Sequence, residues 1–186
     1  MANFRDNSSY SKHDDYYTAK ASWFQLQKIK DKIAPTKIFE ACCMGATLSK
    51  SSEYLTELFD CPVVENKVDF LQLSNEEIRE NYSHIITNPP FANPTKQKII
   101  AKLLDIDLPF IIILNSTNIY SKWFRDTFGD KIKDTQVLNP KQKLCFHKAI
   151  QNDEGEWSLD LKTKPPCFYP VFVSYKLGLD SADLFL

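Results

Sequence analysis

Asn88-Pro89-Pro90-Phe91 is the stretch of this sequence best suited to hold a reacting group. It follows a short β-branched run, residues 85–87, which predicts a buried strand. Neither proline can donate an N–H, so the strand must end where Asn88 begins. The Asn88 side-chain oxygen and the Pro89 carbonyl can accept both hydrogens of an exocyclic amino group, while Phe91 offers a ring face to a flat heterocycle. The alternative is a stiff turn, capped by Asn88 and packed by Phe91.

This tetrapeptide resembles a motif of class I, S-adenosylmethionine-dependent amino methyltransferases, in which Asp, Asn or Ser precedes two prolines and an aromatic residue. The resemblance is greatest to the adenine-N6 DNA methyltransferases of phages and viruses. It implies that Asn88, Pro89, Pro90 and Phe91 form the catalytic slot and that S-adenosylmethionine is the methyl donor, with Asn88 also near this cofactor. The implied acceptor is the N6 amine of adenine in DNA, and RNA stays open because the slot reads a base and not its sugar.

A second candidate site follows a strand predicted at residues 37–40. The segment Ala41-Cys42-Cys43-Met44-Gly45-Ala46-Thr47 is made mostly of small residues and leads into a helix with one apolar face. Strand, tight turn and helix form the front half of a nucleotide-binding βαβ unit, whose crevice lies at the carboxyl end of the strand. A cofactor could bind there. An ordinary turn without a ligand is the alternative.

The same turn resembles the cofactor loop of these methyltransferases, in which an acid is followed by proline and by spaced glycines. The resemblance implies that Glu40 approaches the methionine ammonium of S-adenosylmethionine and that Cys42 and Gly45 belong to the cofactor loop. Ala41 replaces the proline, and methionine and alanine stand where the family has glycine. Because a Cβ atom restricts positive φ angles, we expect weaker cofactor binding or an altered loop shape.

Two acids follow at and after the second predicted strand, residues 62–65. Glu65 ends that strand, where a carboxylate commonly accepts both hydroxyls of a ribose. Val68-Asp69-Phe70-Leu71 resembles the segment that leads into the third strand of phage-type enzymes. The resemblance implies that Asp69 accepts the adenine amino group of the cofactor, and that Phe70 supplies its N–H or packs beside the ring. Either acid could instead be a solvated turn residue.

Residues 14–18 precede an amphipathic helix predicted over residues 19–33. Its buried face consists of Trp23, Leu26, Ile29 and Ile33. Thr18 is a candidate N-cap. The segment also resembles the Asp-x-Tyr-x-Thr-Pro start of phage adenine methyltransferases, which implies that Tyr17 and Thr18 line the methionine end of the cofactor. Both roles for Thr18 stay open.

The remaining periodicities complete an α/β pattern. Strands are predicted at residues 85–87, 109–115, 135–138 and 168–176, and helices at 96–104 and 123–128. The strand at 109–115 is the most apolar and should lie centrally. Pro170 favours an antiparallel edge position for the last strand, beside the central one. The expected fold is therefore a compact, minimal Rossmann-like class I methyltransferase sheet, mostly parallel with one antiparallel edge strand.

Residues 139–164 are interpreted as a substrate-facing loop region. Its phosphate-binding candidates are Lys141, Lys143, Lys148, Lys162 and Lys164. Solubilising lysines interleaved with acids are the alternative. On the helix after the tetrapeptide, Lys96, Lys98 and Lys102 are placed near the mouth of the site, although a solvated helix face is the commoner use of such lysines.

Composition limits the classes of function. A chain of 186 residues that is 43% hydrophobic suits one domain, residues 14–186, behind a flexible leader, residues 1–13. A net charge of −1 gives no global basic field, so nucleic-acid binding would need a local patch. No apolar run approaches a membrane span or a signal-peptide core, which predicts an intracellular protein without a membrane partner. Five cysteines without C-x-x-C spacing and scattered histidines support neither disulfides nor a metal site.

Two other functions stay open. Methyltransferases of protein glutamine amides use a similar Asn-Pro-Pro-Tyr site, but this chain has Phe91 and lacks their extra N-terminal helical domain. A catalytically silent relative that serves as a binding or scaffold subunit would also explain the glycine-poor loop. Nucleic acid is the expected partner, DNA in preference to RNA. Because the chain has no room for a large target-recognition domain, a partner subunit or a homodimer could supply target selection.

Overall fold

The computed structural model describes residues 16–43, 48–164 and 166–186. The strands are β1 (Tyr16–Thr18), β2 (Ile38–Glu40), β3 (Val63–Glu65), β4 (His84–Thr87), β5 (Phe110–Asn115), β6 (Thr135–Leu138), β7 (Phe146–Gln151), β8 (Trp157–Lys164) and β9 (Pro170–Tyr175). The α-helices are α1 (Lys20–Trp23), α2 (Lys30–Ile33), α3 (Ser51–Phe59), α4 (Asn75–Asn81), α5 (Thr95–Ile106) and α6 (Lys122–Phe128). The 3₁₀ segments are Phe24–Ile29, Phe70–Gln72, Ser116–Tyr120, Gly129–Asp134 and Ser181–Leu184.

A six-stranded sheet in the order β3-β2-β4-β5-β9-β6 forms the centre of the fold. The pairs β2–β3, β2–β4 and β4–β5 are parallel, and β9 is antiparallel to both of its neighbours. Five strands therefore point the same way, and their carboxyl ends share one edge of the sheet. This arrangement confirms the expected α/β, Rossmann-like sheet of mostly parallel strands.

Helices cover both faces of this sheet because its central strands are apolar on both sides. Along β5, Ile112 packs in the core with α5 and α6, whereas Ile111 and Ile113 pack in the core with α3 and with residues 20–33. Successive side chains of a strand point to opposite faces, so one continuous apolar run supplies both cores. The central, buried position predicted for residues 109–115 is confirmed.

The last strand does not lie at the edge, and that part of the prediction is wrong. β9 lies between β5 and β6, and β6 is the edge strand. Pro170, the residue from which the edge position was argued, is the first residue of β9 and pairs with Asn115. A proline is tolerated at the first position of a strand, where its missing N–H interrupts the ladder least.

Residues 139–164 also differ from the predicted loop region. They include the β7–β8 hairpin, and β7 pairs on its other side with β1, which makes a second sheet in the order β1-β7-β8. The register places Thr18 opposite Phe146 and Tyr17 opposite His147. This small sheet fixes the segment that carries the predicted residues Tyr17 and Thr18.

The segment after β1 is helical from residue 20 to 33, with the 3₁₀ stretch Phe24–Ile29 in its middle. All four residues of its predicted apolar face, Trp23, Leu26, Ile29 and Ile33, are buried. The capping role considered for Thr18 is wrong. Ala19 is the N-cap, and no side chain caps this helix.

No strand forms between β3 and β4, a stretch that the structure describes completely. Instead, Phe70–Gln72 makes a 3₁₀ turn and α4 follows. Asp69 precedes that turn, and its carboxylate accepts a hydrogen bond from the Leu71 N–H. The segment therefore leads through this turn and α4 to β4, the next strand of the central sheet. None of the helices in the described part of the chain is long and apolar enough to cross a membrane.

Candidate active site

The predicted site residues converge on the carboxyl edge of the central sheet. Helix α3, which follows β2, packs on one face, and α5, which follows β4, packs on the other. The chain therefore changes direction between β2 and β4. In open α/β sheets, ligands bind at such a switch point, outside the carboxyl ends of the strands. Glu40 ends β2, and Asn88 follows β4, so both residues flank this crevice.

Glu40 is the most deeply buried acid of the crevice, with 3% of its surface exposed. Its Oε1 accepts a hydrogen bond of 2.5 Å from the Thr87 hydroxyl, and the Thr87 oxygen accepts one of 2.9 Å from the Cys42 N–H. Burial raises the pKa of the Glu40 carboxyl, and the nearby charge of Glu65 raises it further. Burial and the charge of Glu40 likewise raise the pKa of the Cys42 thiol, which makes a nucleophilic thiolate unfavourable there.

Glu65 lies directly beside Glu40, because the two residues are register partners in the parallel pair β2–β3. The Ser52 hydroxyl donates a hydrogen bond to Glu65 Oε1. Neither carboxylate forms an ion pair with a lysine, arginine or histidine of the described residues. Two neighbouring acids without a basic partner favour a ligand that brings positive charge or several hydrogen-bond donors.

Asn66 ties the loops after β2 and β3 together. Its Nδ2 donates to the Ala41 carbonyl at 2.8 Å, and its Oδ1 accepts from the Val68 N–H at 3.1 Å. Its own N–H donates to the Glu40 carbonyl at 2.9 Å. This buried asparagine thereby holds the chain around both acids.

Asn88 presents an unused acceptor. Its Nδ2 donates to the Tyr16 carbonyl at 3.4 Å, which assigns the orientation of the amide. The Oδ1 atom is buried and has no hydrogen-bond partner among the described residues. Buried polar atoms are nearly always paired in folded proteins, so an open acceptor at this position indicates a donor supplied by a ligand or by water.

Thr18 carries a second buried atom without a partner. Its Oγ1 has no hydrogen bond among the described residues, and the side chain is 3% exposed. Asn88 is bonded to the backbone of the same strand, at Tyr16. The two unsatisfied oxygens therefore belong to segments that are in direct contact, the strand β1 and the tetrapeptide after β4.

The remaining residues of the tetrapeptide are packed. Pro89 and Pro90 are buried, and Phe91 is half-buried. The Phe91 ring meets Tyr16 and Phe146 edge-on, with centroids 6.2 and 5.9 Å apart, and lies 4.9 Å from the Phe168 ring at a tilt of 57°. Stacking of a base on Phe91 remains a prediction, and the structure places that ring within an aromatic cluster.

Asp69 and Phe70 lie farther along the chain after Glu65. Asp69 is exposed, and its carboxylate caps the 3₁₀ turn. Phe70 is 2% exposed and packs in the core beside Phe39. Because the Phe70 ring is buried in the core, it does not reach a ligand in the crevice. Of the two predicted cofactor contacts of Phe70, only its backbone N–H is left. Gly45 falls outside the described residues, so its place in the loop stays a prediction.

The predicted phosphate-binding lysines lie on and before the β7–β8 hairpin. Lys148 is exposed, with Nζ 5.4 Å from the centroid of the Tyr16 ring. Lys143 Nζ lies 4.4 Å from the centroid of the Tyr169 ring, and Lys141 is exposed. Lys148 is thus linked through Tyr16 to the Phe91 cluster. No group of three or more potential metal ligands occurs among the described residues.

Two residues of the site are not singled out from the sequence. Thr87 joins Glu40 to Cys42, and Asn66 joins the loops, whereas Lys96, which the sequence places near the mouth of the site, binds the end of the tetrapeptide. A signal exists for both missed residues, since Thr87 directly precedes Asn88 and Asn66 directly follows Glu65. Polar residues next to the carboxyl end of a strand of this kind of sheet are candidates for the crevice.

No protein-family model matches the chain, and no curated protein matches it. Among solved structures, it is similar to a putative class I S-adenosylmethionine-dependent methyltransferase from Listeria monocytogenes, with 7% identity, a TM-score of 0.48 and coverage of 92% of this chain and 64% of that one. It is also similar to the S. pombe Dnmt2 methyltransferase, with 9% identity, a TM-score of 0.42 and coverage of 78% and 50%.

A third similar chain comes from a structure of the type I R-M system, with 8% identity, a TM-score of 0.40 and coverage of 83% of this chain and 42% of that one. The chain thus spans between 42% and 64% of the length of these three structures.

Proposed function

We propose that this protein transfers a methyl group from S-adenosylmethionine to the N6 amino group of adenine in nucleic acid, DNA in preference to RNA. The observation that carries the proposal is the buried Oδ1 of Asn88 at the switch point of the sheet, which has no hydrogen-bond partner in the described part of the chain. An acceptor that is desolvated and unsatisfied in the free protein favours a ligand with an N–H group to donate.

The residues around the crevice fit S-adenosylmethionine. The Glu40 carboxylate, which lacks a basic partner among the described residues, would receive the methionine ammonium, and Glu65 would accept the ribose hydroxyls. Thr18 would use its open Oγ1 at the methionine end. Asp69, Phe70, Cys42 and Tyr17 are the further cofactor contacts that we propose.

When bound, S-adenosylmethionine supplies an electrophilic methyl group on a sulfonium. The protein must present a nitrogen that is a poor nucleophile, because the lone pair of an exocyclic amine is delocalised into the ring. Asn88 Oδ1 and the Pro89 carbonyl would each accept one hydrogen of that amine and hold it in place. The same two oxygens would stabilise the positive charge that develops on the nitrogen. No strong base is needed, because the proton can leave to water afterwards.

The acceptor base has to be accessible to this slot. An amine inside a duplex cannot reach a crevice at a sheet edge, so the base must be extruded or already single-stranded. The aromatic cluster around Phe91 and the nearby Lys148 would then contact the base and its phosphate. These contacts read no sequence, which favours short or relaxed target selection by this chain alone.

Identification of the methylated product tests the proposal. The full chain would be incubated with methyl-labelled S-adenosylmethionine and matched single-stranded DNA, duplex DNA and RNA, and each product would be digested to nucleosides. We expect label in N6-methyladenosine or its deoxy form. Label in another nucleoside, or in glutamine of an added protein mixture, would contradict the proposed acceptor. Calorimetry that detects no S-adenosylmethionine binding would instead favour the silent scaffold.

A further inference from the structure

Lys96 is a buried lysine at the start of α5. Only 4% of its surface is exposed, whereas Lys98, two residues further along the same helix, is exposed. The solvated helix face, which the sequence offers as the commoner use of these lysines, is therefore wrong for Lys96, whereas it fits Lys98. Burying an ammonium group is costly unless hydrogen bonds replace its hydration. The groups that accept hydrogen bonds from Lys96 therefore indicate its role.

The Lys96 ammonium joins separate parts of the fold. Its Nζ donates to the Phe91 carbonyl at 3.0 Å and to Asn118 Oδ1 at 3.3 Å. It also lies 5.4 Å from the centroid of the Trp123 ring on α6. A lysine suits this position because its three N–H donors can serve acceptors on different elements, and hydrogen bonds from a charged donor are stronger than neutral ones.

These contacts complete the support of the tetrapeptide. At its start, Asn88 is held by the Tyr16 carbonyl, and at its end the Phe91 carbonyl is held by Lys96. Between these points, the two prolines restrict the backbone. The hydrogen bond to Asn118 connects the same lysine to the 3₁₀ turn that follows β5. The position of the slot is thereby fixed relative to the neighbouring central strand.

We propose that Lys96 is the positioning residue of the amine-binding slot, acting through the Phe91 carbonyl to set the place of Asn88, Pro89 and Phe91. This inference rests on the proposed function. Displacement of reacting groups by about 1 Å can lower a rate by roughly 100-fold. A loosened slot would lower the rate of methyl transfer and leave the cofactor side, at Glu40 and Glu65, unchanged.

The test compares Lys96→Met with Lys98→Met. Methionine keeps much of the length of lysine and removes the donors, and Lys98 is the exposed control on the same helix. The readout is kcat at saturating adenine substrate, divided by the number of S-adenosylmethionine sites titrated by calorimetry. We expect Lys96→Met to lower this ratio by roughly 10- to 100-fold. Lys98→Met should leave it within about twofold, as for an ordinary surface substitution.

Normalisation to titrated sites separates positioning from folding. A merely structural role would reduce the number of cofactor sites and leave the rate per site unchanged, which would overturn the inference. If Lys96→Met does not fold, Asn118→Ala decides, because it removes an acceptor that fixes the ammonium group and so loosens the hold of Lys96 on the Phe91 carbonyl. A fall in its rate per site supports the inference, and an unchanged rate overturns it. A wild-type protein that binds cofactor and methylates no adenine would contradict the proposed function instead.

Discussion

Thr18 and Thr87 are both buried threonines beside the crevice, but only one of their hydroxyl groups has a partner among the described residues. The Thr87 hydroxyl donates to Glu40 and its oxygen accepts from the Cys42 N–H, whereas Thr18 Oγ1 has no partner there. A buried polar group without a hydrogen bond costs about 1–3 kcal/mol of stability. The Thr18 hydroxyl is therefore unfavourable for folding, and a ligand would offset that cost.

Thr18→Val tests this view of the residue. Valine has a similar shape, lacks the hydroxyl and favours the strand in which residue 18 lies. We expect the free energy of unfolding of the free protein to stay the same or to rise by up to about 1 kcal/mol. The affinity for S-adenosylmethionine should fall about tenfold, which corresponds to one lost hydrogen bond of about 1.4 kcal/mol. Chemical unfolding and calorimetry measure the two quantities.

Thr87→Val is the matched control. This change removes a donor from the buried Glu40 carboxylate and an acceptor from the Cys42 N–H. The free energy of unfolding should fall by about 2 kcal/mol. Equal losses of stability in the two valine variants would show that the Thr18 hydroxyl is already satisfied in the free protein, so that it would not need a ligand.

At the level of elements, hydrophobic periodicity in the sequence predicts where the strands lie and which helix face is buried. The sequence predicts that β5 is central because residues 109–115 are apolar at nearly every position, and that β4 ends before Asn88 because two prolines follow. The buried face of residues 20–33 also follows from the 3.6-residue repeat. The carboxyl-edge location of Glu40, Glu65 and Asn88 follows directly from these elements.

The features that the sequence does not predict depend on contacts between distant segments of the chain. The pairing of β1 with β7 joins residues about 130 positions apart, and no local pattern encodes it. Thr18 has the sequence signature of a cap, yet its strand pairing excludes that role. Lys96 and the exposed Lys98 are the same residue type on the same helix, so only the packed structure shows that Lys96 points inward.

Asp107 holds together the edge of the sheet opposite to the candidate site. It follows α5, and its carboxylate accepts hydrogen bonds from Lys131 at 2.8 Å, from the Tyr175 hydroxyl at 2.7 Å and from Lys176 at 2.6 Å. Tyr175 ends the antiparallel strand β9, so this network joins α5 to the amino edge of the sheet. Its contribution should be structural, without effect on catalysis.

Asp107→Asn removes the charge and keeps the backbone conformation, because the φ angle of 64° at this residue is one that asparagine tolerates. We expect the free energy of unfolding to fall by roughly 1 kcal/mol at most, since the carboxylate is 44% exposed and solvent screens the ion pairs. The rate of methyl transfer should not change. Urea unfolding and the methyl-transfer assay provide the measurements.

The same variant has a definite pH dependence. The hydrogen bond from Lys131, followed by those from Lys176 and Tyr175, holds the pKa of Asp107 well below its ordinary value of 3.8. A lowered pKa in the folded state contributes stability above the unfolded pKa and loses it as the pH falls toward the folded pKa. The difference between wild type and Asp107→Asn should be constant near neutral pH and shrink below pH 3.8. A difference that grows on acidification would contradict this assignment.

At the level of the whole molecule, the chain lacks the positive charge that many nucleic-acid-binding proteins carry. Its net charge is −1, so any attraction to phosphate must be local. The second sheet provides a local surface, because β7 carries Lys148 beside Tyr16 and Tyr16 contacts Phe91. The small sheet would thus bring the phosphate of a nucleic acid close to the slot for its base.

Lys148→Ala is expected to weaken binding of single-stranded DNA and to lower its salt dependence. Loss of one phosphate contact should reduce the slope of log K against log salt by about 0.7 for a single strand. Lys133→Ala is the control, since Lys133 is exposed in the 3₁₀ turn before β6, at the amino edge of the sheet. Fluorescence anisotropy over a salt series measures both slopes. Identical slopes in the two variants would remove Lys148 from the proposed surface.

The central claim is that Asn88 holds an amino group beside a bound methyl donor. The most direct measurement is labelled-methyl transfer to adenine by Asn88→Ala, together with calorimetric binding of S-adenosylmethionine by the same variant. We predict that transfer falls by about 100-fold or more, as for loss of a group that stabilises the transition state, while cofactor binding stays largely intact. Turnover near that of the wild type would contradict the claim.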